Sequence, residues 1–524
     1  ASVLSDMARS SSRNQSQIIS EGGIAPLVNL LAKENNARTK AAAAGALRSL
    51  SSGQPDTQKA VADAGAIKPL VVLLNEDDDN ARKKAAGALA AICLESHENQ
   101  DAVEKNKGIS KLVGLLDTSM SEGVNAEAAA ALAVLARGNE KIQDRVPAAG
   151  GTIPLVSLLS GDAGEHAKEE AAAALWSLST KHYANQVAIA DAGGIAPLVA
   201  ALGLESVRGQ EQAAGALAAL ALDNTKNELS IAKLIVSLLG SDDKQASAKA
   251  ARAISHLARA HASNQRSIAT SGGLSKLVEL LDVTEGGVGA GVLSGSAAVA
   301  ALESAKVQKE ITSAIWSMST DNTENQVAIA QAGGVQPLIR LLEGHPEVHR
   351  EVAGALWSLA ANHENQLTIA NEGGIPPLVD LLKTGSPGAQ ETAAGAIHVL
   401  AESSENRVAI AAQNGIPLLV ALFDGGSEEA IKQASGALKT LALQNVSNQL
   451  AIANELVAML RTGSASAQEH ITELLRTLAQ DPDNRSAIAK AGAVPELVRQ
   501  LETGSERAMG MAASALALIA LKSA

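Results

Sequence analysis

Aromatic residues are almost missing from this chain. One Phe, one Tyr and three Trp stand among 524 residues, and aromatics make up 1% of the total. Hydrophobic residues still reach 46%, so a core must be built from Ala, Leu, Ile and Val. That supply favours closely packed helices over a sandwich or barrel, which draws on β-branched and aromatic side chains. The lone cysteine, Cys93, lies in the apolar stretch "LAAICLES". It cannot form an internal disulfide, and a cytoplasmic or other soluble, reducing compartment is expected. No run of about 18 apolar residues occurs, which excludes direct membrane insertion through a helix. The start, "ASVLSDMARSSSR", has neither the hydrophobic centre of a signal peptide nor a lipidation motif. A formal net charge of −13 argues against a nucleic-acid partner.

Catalytic and metal constellations are missing as well. "EGGVGAGVLSGS" (285–296) is glycine-rich but lacks the Gly-Lys-Ser/Thr that follows a phosphate loop. In "HPEVH" (345–349), Pro346 puts His345 in a loop ahead of a helix, which spoils an i, i+4 ligand pair. "NEDDDN" (75–80) is a short acidic turn rather than an extended calcium loop. Cys93 has no evident histidine partner and reads as a core residue. These absences predict no enzyme activity, no cofactor and no metal.

What the chain does contain is repetition. "GALWSLAANHENQ" (354–366) returns as "AALWSLSTKHYANQ" (173–186) and "AIWSMSTDNTENQ" (314–326). Asn-Gln or a relative marks a register near residues 14, 57, 99, 142, 185, 227, 264, 325, 365, 406, 448 and 484. The usual spacing, roughly 40 residues, falls in the range of helical solenoid repeats, and about twelve units are counted. The unit at 365–402 is legible throughout. "NQLTIANEGG" reads as a short helix stopped by Gly373 and Gly374. "IPPLVDLLKTG" reads as a second helix with Pro in its first turn and Ile375, Leu378, Val379, Leu381 and Leu382 on its buried face. "SPGAQETAAGAIHVLAE" reads as a third, with Ser386 as N-cap and Pro387 at its first position. One unit cannot bury its own apolar face, so the units must stack.

Three helices per unit, "GGIxPLVxLL" and "AAGALxxLA" resemble the armadillo repeat over essentially the whole chain. The resemblance implies an all-α, right-handed superhelical solenoid of about twelve three-helix repeats, whose third helices line a concave groove that binds protein segments. A single array over 14–524 is expected, with 1–13 as the tail of a truncated preceding repeat. There Leu4 and Met7 take the two Leu positions, which reads as a fragment of a longer protein. Two units, 227–263 and 448–483, lack the Gly-Gly connection; their first two helices are expected to be shortened or fused. The segment 282–306, in the seventh unit, is longer than the matching connection elsewhere. Its first half is rich in Gly and Ser, and Ala297–Ser304 is expected to add helix.

Within "AGALxxLA" the residue before the second Leu is expected to face the groove. Groove-binding relatives such as importin-α carry an Asn ladder there, with a Trp one turn earlier. Here the position holds Ser177, Ser317 and Ser358, with no Asn in any repeat, and none of the one-turn-earlier positions is Trp. That departure argues against a nuclear-import adaptor. Trp176, Trp316 and Trp357 sit one residue before the serines instead. They either anchor a partner peptide or helix or pack against the next third helix. Arg48, Lys439 and Arg476 share the Trp position, and Arg252 lies one turn earlier in its helix; these four are candidates for partner carboxylates. The expected function is a non-catalytic scaffold for protein segments. The alternative is a structural subunit of an axonemal or organelle-anchored complex, using convex faces and the 282–306 loop.

Overall fold

The computed structural model describes residues 11–283 and 296–521, except 33 and 54, together with residues 1, 6 and 8. Regular structure among them is helical, as the composition requires. Residues 284–295, the Gly/Ser half of the long connection, lie outside the described residues, as do Leu4 and Met7. The helix Ser296–Ser319 begins before the usual start of a third helix, so the expected extra helix over 297–304 is present.

The repeat at 365–402 shows how the chain builds each unit. Its helices are His363–Asn371, Ile375–Thr384 and Pro387–Leu400. Gly373 takes φ +85°, and its N–H bonds back to the carbonyl of Ala370 while Gly374 N–H reaches Ile369. This closes the first helix on a left-handed residue, which costs glycine least. Ile375, Leu378, Val379, Leu381 and Leu382 are all buried. The Ser386 hydroxyl caps the third helix by accepting from the Ala389 N–H, and Pro387 follows it. Where the first glycine of the pair is replaced, as at Lys107 and Asn414, that residue adopts the left-handed turn itself, at φ +61° and +63°. Where it is missing altogether, nothing interrupts the i→i−4 ladder, and Thr225–Leu239 and Val446–Thr462 each run as one continuous helix.

The recurrent Asn-Gln has a structural task. The last carbonyls of a third helix have no partner within that helix. The buried Asn side chain supplies one: its amide donates to Leu359 from Asn365 (3.0 Å), to Leu178 from Asn185 (2.9 Å) and to Met318 from Asn325 (2.8 Å). The same amide reaches the preceding repeat, from Asn365 to the Gln326 carbonyl (3.1 Å) and from Asn185 to that of Gln143 (2.9 Å). Gln bonds forward as well: Gln143 donates to the Ser177 carbonyl (2.7 Å) and Gln265 to that of Ser317 (3.0 Å). Each dipeptide therefore ties neighbouring repeats together at buried backbone groups, where an unmade hydrogen bond is costly.

The chain divides into two compact units, Ala1–Ser237 and Leu238–Ala524. In the first, the third helices Ala37–Ser51, Asp79–Cys93, Glu122–Ala136, Glu165–Ser179 and Val207–Ala221 pack one against the next. In the second, Lys244–Ala260, Ser296–Ser319, His349–Ala360, Pro387–Leu400 and Glu428–Ala442 do the same. Alanines and glycines of the "AAGAL" stretches lie at these contacts and let the helices approach closely. Leu47, Leu89, Leu132, Leu356 and Leu438 are fully buried beneath them.

Candidate partner-binding face

Three tryptophans stand on third helices, Trp176 in the first unit and Trp316 and Trp357 in the second. Each lies against the glycine of the next third helix. A Cβ added to Gly215 would come within 2.6 Å of the Trp176 ring, one on Gly354 within 2.6 Å of Trp316, and one on Gly395 within 2.7 Å of Trp357. One face of each indole is thus covered by a neighbouring backbone. Trp176 is still 37% exposed, and Trp316 and Trp357 are half-buried. The pattern extends to other large side chains at the same position: Arg48 lies over Gly87 and His398 over Gly436. Where the position is small, as at Ala90 and Ala133, the next helix carries Ala130 and Ala173 instead of glycine. In these pairs large meets Gly and small meets Ala, a steric match between consecutive repeats; Lys439 with Glu473 and Ala218 with Arg252 depart from it.

The serines face inward more than the sequence led one to expect. Ser177 and Ser317 are 7% and 4% exposed, and Ser358 is half-buried. The Ser317 hydroxyl donates to the Ser313 carbonyl one turn back (2.9 Å) and lies 2.9 Å from the Ser255 hydroxyl. It also accepts from Arg259 Nε (3.1 Å). Bonding to the i−4 carbonyl is the usual habit of Ser inside a helix.

Two of the four candidate cations are already paired. Arg48 meets Glu127 at 2.5 Å, reaching across an intervening repeat, and Arg252 meets Glu310 at 2.6 Å. Lys439 is exposed and Arg476 half-buried, and neither has an ion pair among the described residues.

A cleft of about 530 Å³ opens in the second unit beside Trp316. Arg259, Ser313, Ser317, Arg350 and Glu351 line it with Trp316, so three consecutive third helices contribute. Glu351 is buried, and burial pushes its carboxyl above the ordinary range against the weaker pull of Lys309 and Arg350.

One cluster escaped the sequence reading. His166, Glu169 and Glu170 bring potential ligand atoms within 4.8 Å of one another. The signal was present in "GEHAKEE", with i, i+3 and i, i+4 spacing on one helix. Arg208 bridges the two carboxylates, bonding Glu169 at 2.7 Å and Glu170 at 3.0 Å. Burial raises the Glu170 pKa despite that guanidinium. Of the histidines in "HPEVH", His349 lies 3.3 Å from the Gly344 carbonyl, and burial lowers its pKa. Cys93 is buried and its thiol is pushed up by desolvation, the opposite of what a nucleophile needs.

Comparison with known families now decides the identity. The armadillo/β-catenin-like repeat model matches residues 11–52 and 54–94, and the plant U-box protein ARM repeat region matches residues 292–522. Together these matches cover more than half of the chain. The chain belongs to the armadillo-repeat family. Such repeats serve in general as protein-interaction scaffolds and not as enzymes. Several crystal structures of engineered proteins from the Northeast Structural Genomics Consortium are similar to this armadillo chain. One is 33% identical, covering 80% of this chain and 98% of its own, with a TM-score of 0.46. Another is 34% identical over 45% of this chain and 98% of its own, with a TM-score of 0.40. No curated protein matches. No helix among the described residues is long and apolar enough to cross a membrane.

Proposed function

We propose that this armadillo array is a non-catalytic scaffold that holds a segment of a partner protein along the face of its third helices. The observation that carries the reading is the cleft beside Trp316, where a half-buried indole, buried hydroxyls and charged groups from three third helices converge. Pockets that orient a ligand combine such an apolar wall with a few placed polar groups. Trp176 and Trp357 offer further half-exposed indole surface in the same helical register, and tryptophan is a favoured anchor at protein interfaces. Ser177, Ser317 and Ser358 act mainly by shaping the floor, and Lys439 and Arg476 are the cations free to meet partner carboxylates. Several weak contacts of this kind along one array would add by avidity. A soluble, reducing compartment such as the cytoplasm suits a chain whose one cysteine is buried and unpaired.

The test is affinity capture from the source cell with this chain and with a Trp316→Ala/Trp357→Ala double variant, both checked by circular dichroism. Loss of partners from a folded double variant supports the groove. Recovery of the same partners by both baits refutes it.

A further inference from the structure

A ladder of apolar side chains runs along the first helices of the second unit. The residue two places after the buried Asn is Val327, Leu367, Val408 and Leu450 in four consecutive repeats. Val327 and Leu367 are half-buried, and Val408 and Leu450 are 59% and 40% exposed. Val446, one turn before Leu450, is 79% exposed, and Leu443, in the turn ahead of it, 47%. The helices Thr323–Gln331, His363–Asn371, Ser404–Ala412 and Val446–Thr462 are joined in series by an equivalent bond at each step. Asn365 donates to the Gln326 carbonyl (3.1 Å), Asn406 to that of Gln366 (3.2 Å) and Asn448 to that of Arg407 (3.2 Å). Each acceptor is the residue just before a rung, so the rungs take equivalent places. None of them lines the cleft beside Trp316.

The fold does not require apolar residues here. The same position holds Lys59, Asp101, Asp144 and Arg266 in other repeats, and Asp101 and Asp144 pair with Lys141 and His182 of the repeat that follows. Beside the ladder runs a row of carboxylates. Glu324, Glu364 and Glu405 each stand three residues before a rung, are exposed, and have no ion pair among the described residues. Residues three apart on a helix are neighbours, so the row flanks the rungs on one side. The one Lys or Arg within 323–331, 363–371, 404–412 and 446–454 is Arg407, whose guanidinium is tied to the carbonyls of Ala401, Glu402 and Leu443. A contiguous apolar stripe rimmed by charge marks an interaction surface.

We propose that this face docks an amphipathic helix of a partner protein, laid across the four first helices, with one apolar residue per heptad on the rungs and one basic residue per heptad against the glutamates. The spacing selects the occupant. Packed helices lie about 10 Å apart, so the rungs recur at about that interval. Seven residues of helix rise about 10.5 Å, and a helix of about 22 residues spans all four rungs. Burial of the apolar stripe supplies affinity, and the one-sided carboxylate row fixes the direction in which the helix lies. This docking face is separate from the third-helix groove and does not depend on it.

The probe is a fluorescein-labelled, alanine-based peptide of about 22 residues, with Leu at every seventh position and Lys four residues after each Leu; circular dichroism checks that it is helical. One control redistributes the same residues so that the leucines recur at every fifth position and share no stripe. A second carries Glu in place of Lys. Binding is read by fluorescence anisotropy at low ionic strength. The heptad Lys peptide is expected to bind saturably and both controls at least about tenfold more weakly. Val408→Gln/Leu450→Gln should weaken it roughly tenfold or more, because two apolar contacts are lost; both side chains already face water, so the variant should fold. Glu364→Gln/Glu405→Gln should weaken the Lys peptide and reduce the salt dependence of its binding. Trp316→Ala/Trp357→Ala should bind it as the parent protein does. Failure of the heptad peptide to bind, equal binding of either control, or full affinity in a folded Val408→Gln/Leu450→Gln protein overturns the proposal. A peptide released by the tryptophan variant but kept by the Val408/Leu450 variant sits in the groove, which overturns the ladder and leaves the groove standing.

Discussion

Replacing Gly354 with Ala puts two opposing effects on one helix. Alanine is a better helix former, worth about 1 kcal/mol over glycine in a helix interior. Its Cβ, however, would stand 2.6 Å from the Trp316 ring, closer than real contacts allow. Overpacking of that kind costs about 1–3 kcal/mol. Steric cost should win, giving a net loss of up to about 2 kcal/mol in the native background. In a Trp316→Ala background the clash disappears and only the propensity gain of about 1 kcal/mol remains, so the same substitution should stabilise. The coupling energy between the two positions is therefore about 1–3 kcal/mol. The chain supplies its own control, since Ala133 facing Ala173 is the pairing that the double variant creates. Repeat arrays need not unfold in one step, so local hydrogen exchange in His349–Ala360 is the assay, with urea unfolding beside it. Trp316 fluorescence should shift to the red in the Gly354→Ala protein as the ring is forced toward water. Coupling below about 0.5 kcal/mol, the range of independent sites, would refute the large-meets-glycine account.

Other consequences can be measured on the same protein. Asn365→Ala removes two buried hydrogen bonds, to the Leu359 and Gln326 carbonyls; urea unfolding should show a loss of about 1–3 kcal/mol. Lys181 is held at φ +56°, a region that costs a non-glycine residue about 1 kcal/mol or more, so Lys181→Gly should raise the melting temperature. Burial raises the Glu351 pKa above its ordinary 4.5, so the folded state holds a proton that the unfolded chain has released. Its contribution to stability is accordingly greatest below 4.5 and falls as pH rises through the raised value. Glu351→Gln should equal the parent protein near pH 4 and become progressively more stable than it toward pH 7, as followed by denaturant titrations across that range.

Much of the unit was readable residue by residue. Gly373, Pro376, Ser386 and Pro387 act through the backbone of their own few neighbours, so their effects needed no knowledge of the rest. The fused helices at Thr225–Leu239 and Val446–Thr462 were legible for the same reason: a helix continues when no residue stops it. The site was less legible. The serines beside the tryptophans looked like groove residues, yet Ser177 and Ser317 turned out buried, because the small residues of the register let neighbouring third helices close over them. Arg48 and Arg252 looked available and are paired, since their carboxylates come from other repeats, 79 and 58 positions away.

By itself, the order of residues determined the helical class, the repeat period, the helix ends and the apolar faces, because each depends on interactions within about one or two turns of chain. Only the tertiary structure decided which tryptophan rests on which glycine, what the Asn-Gln pairs hold together, and that Glu351 lies buried at a cleft beside Trp316. Those outcomes depend on the register in which one third helix lies against the next. A shift of a single turn in that packing would pair different residues while leaving every local signal unchanged.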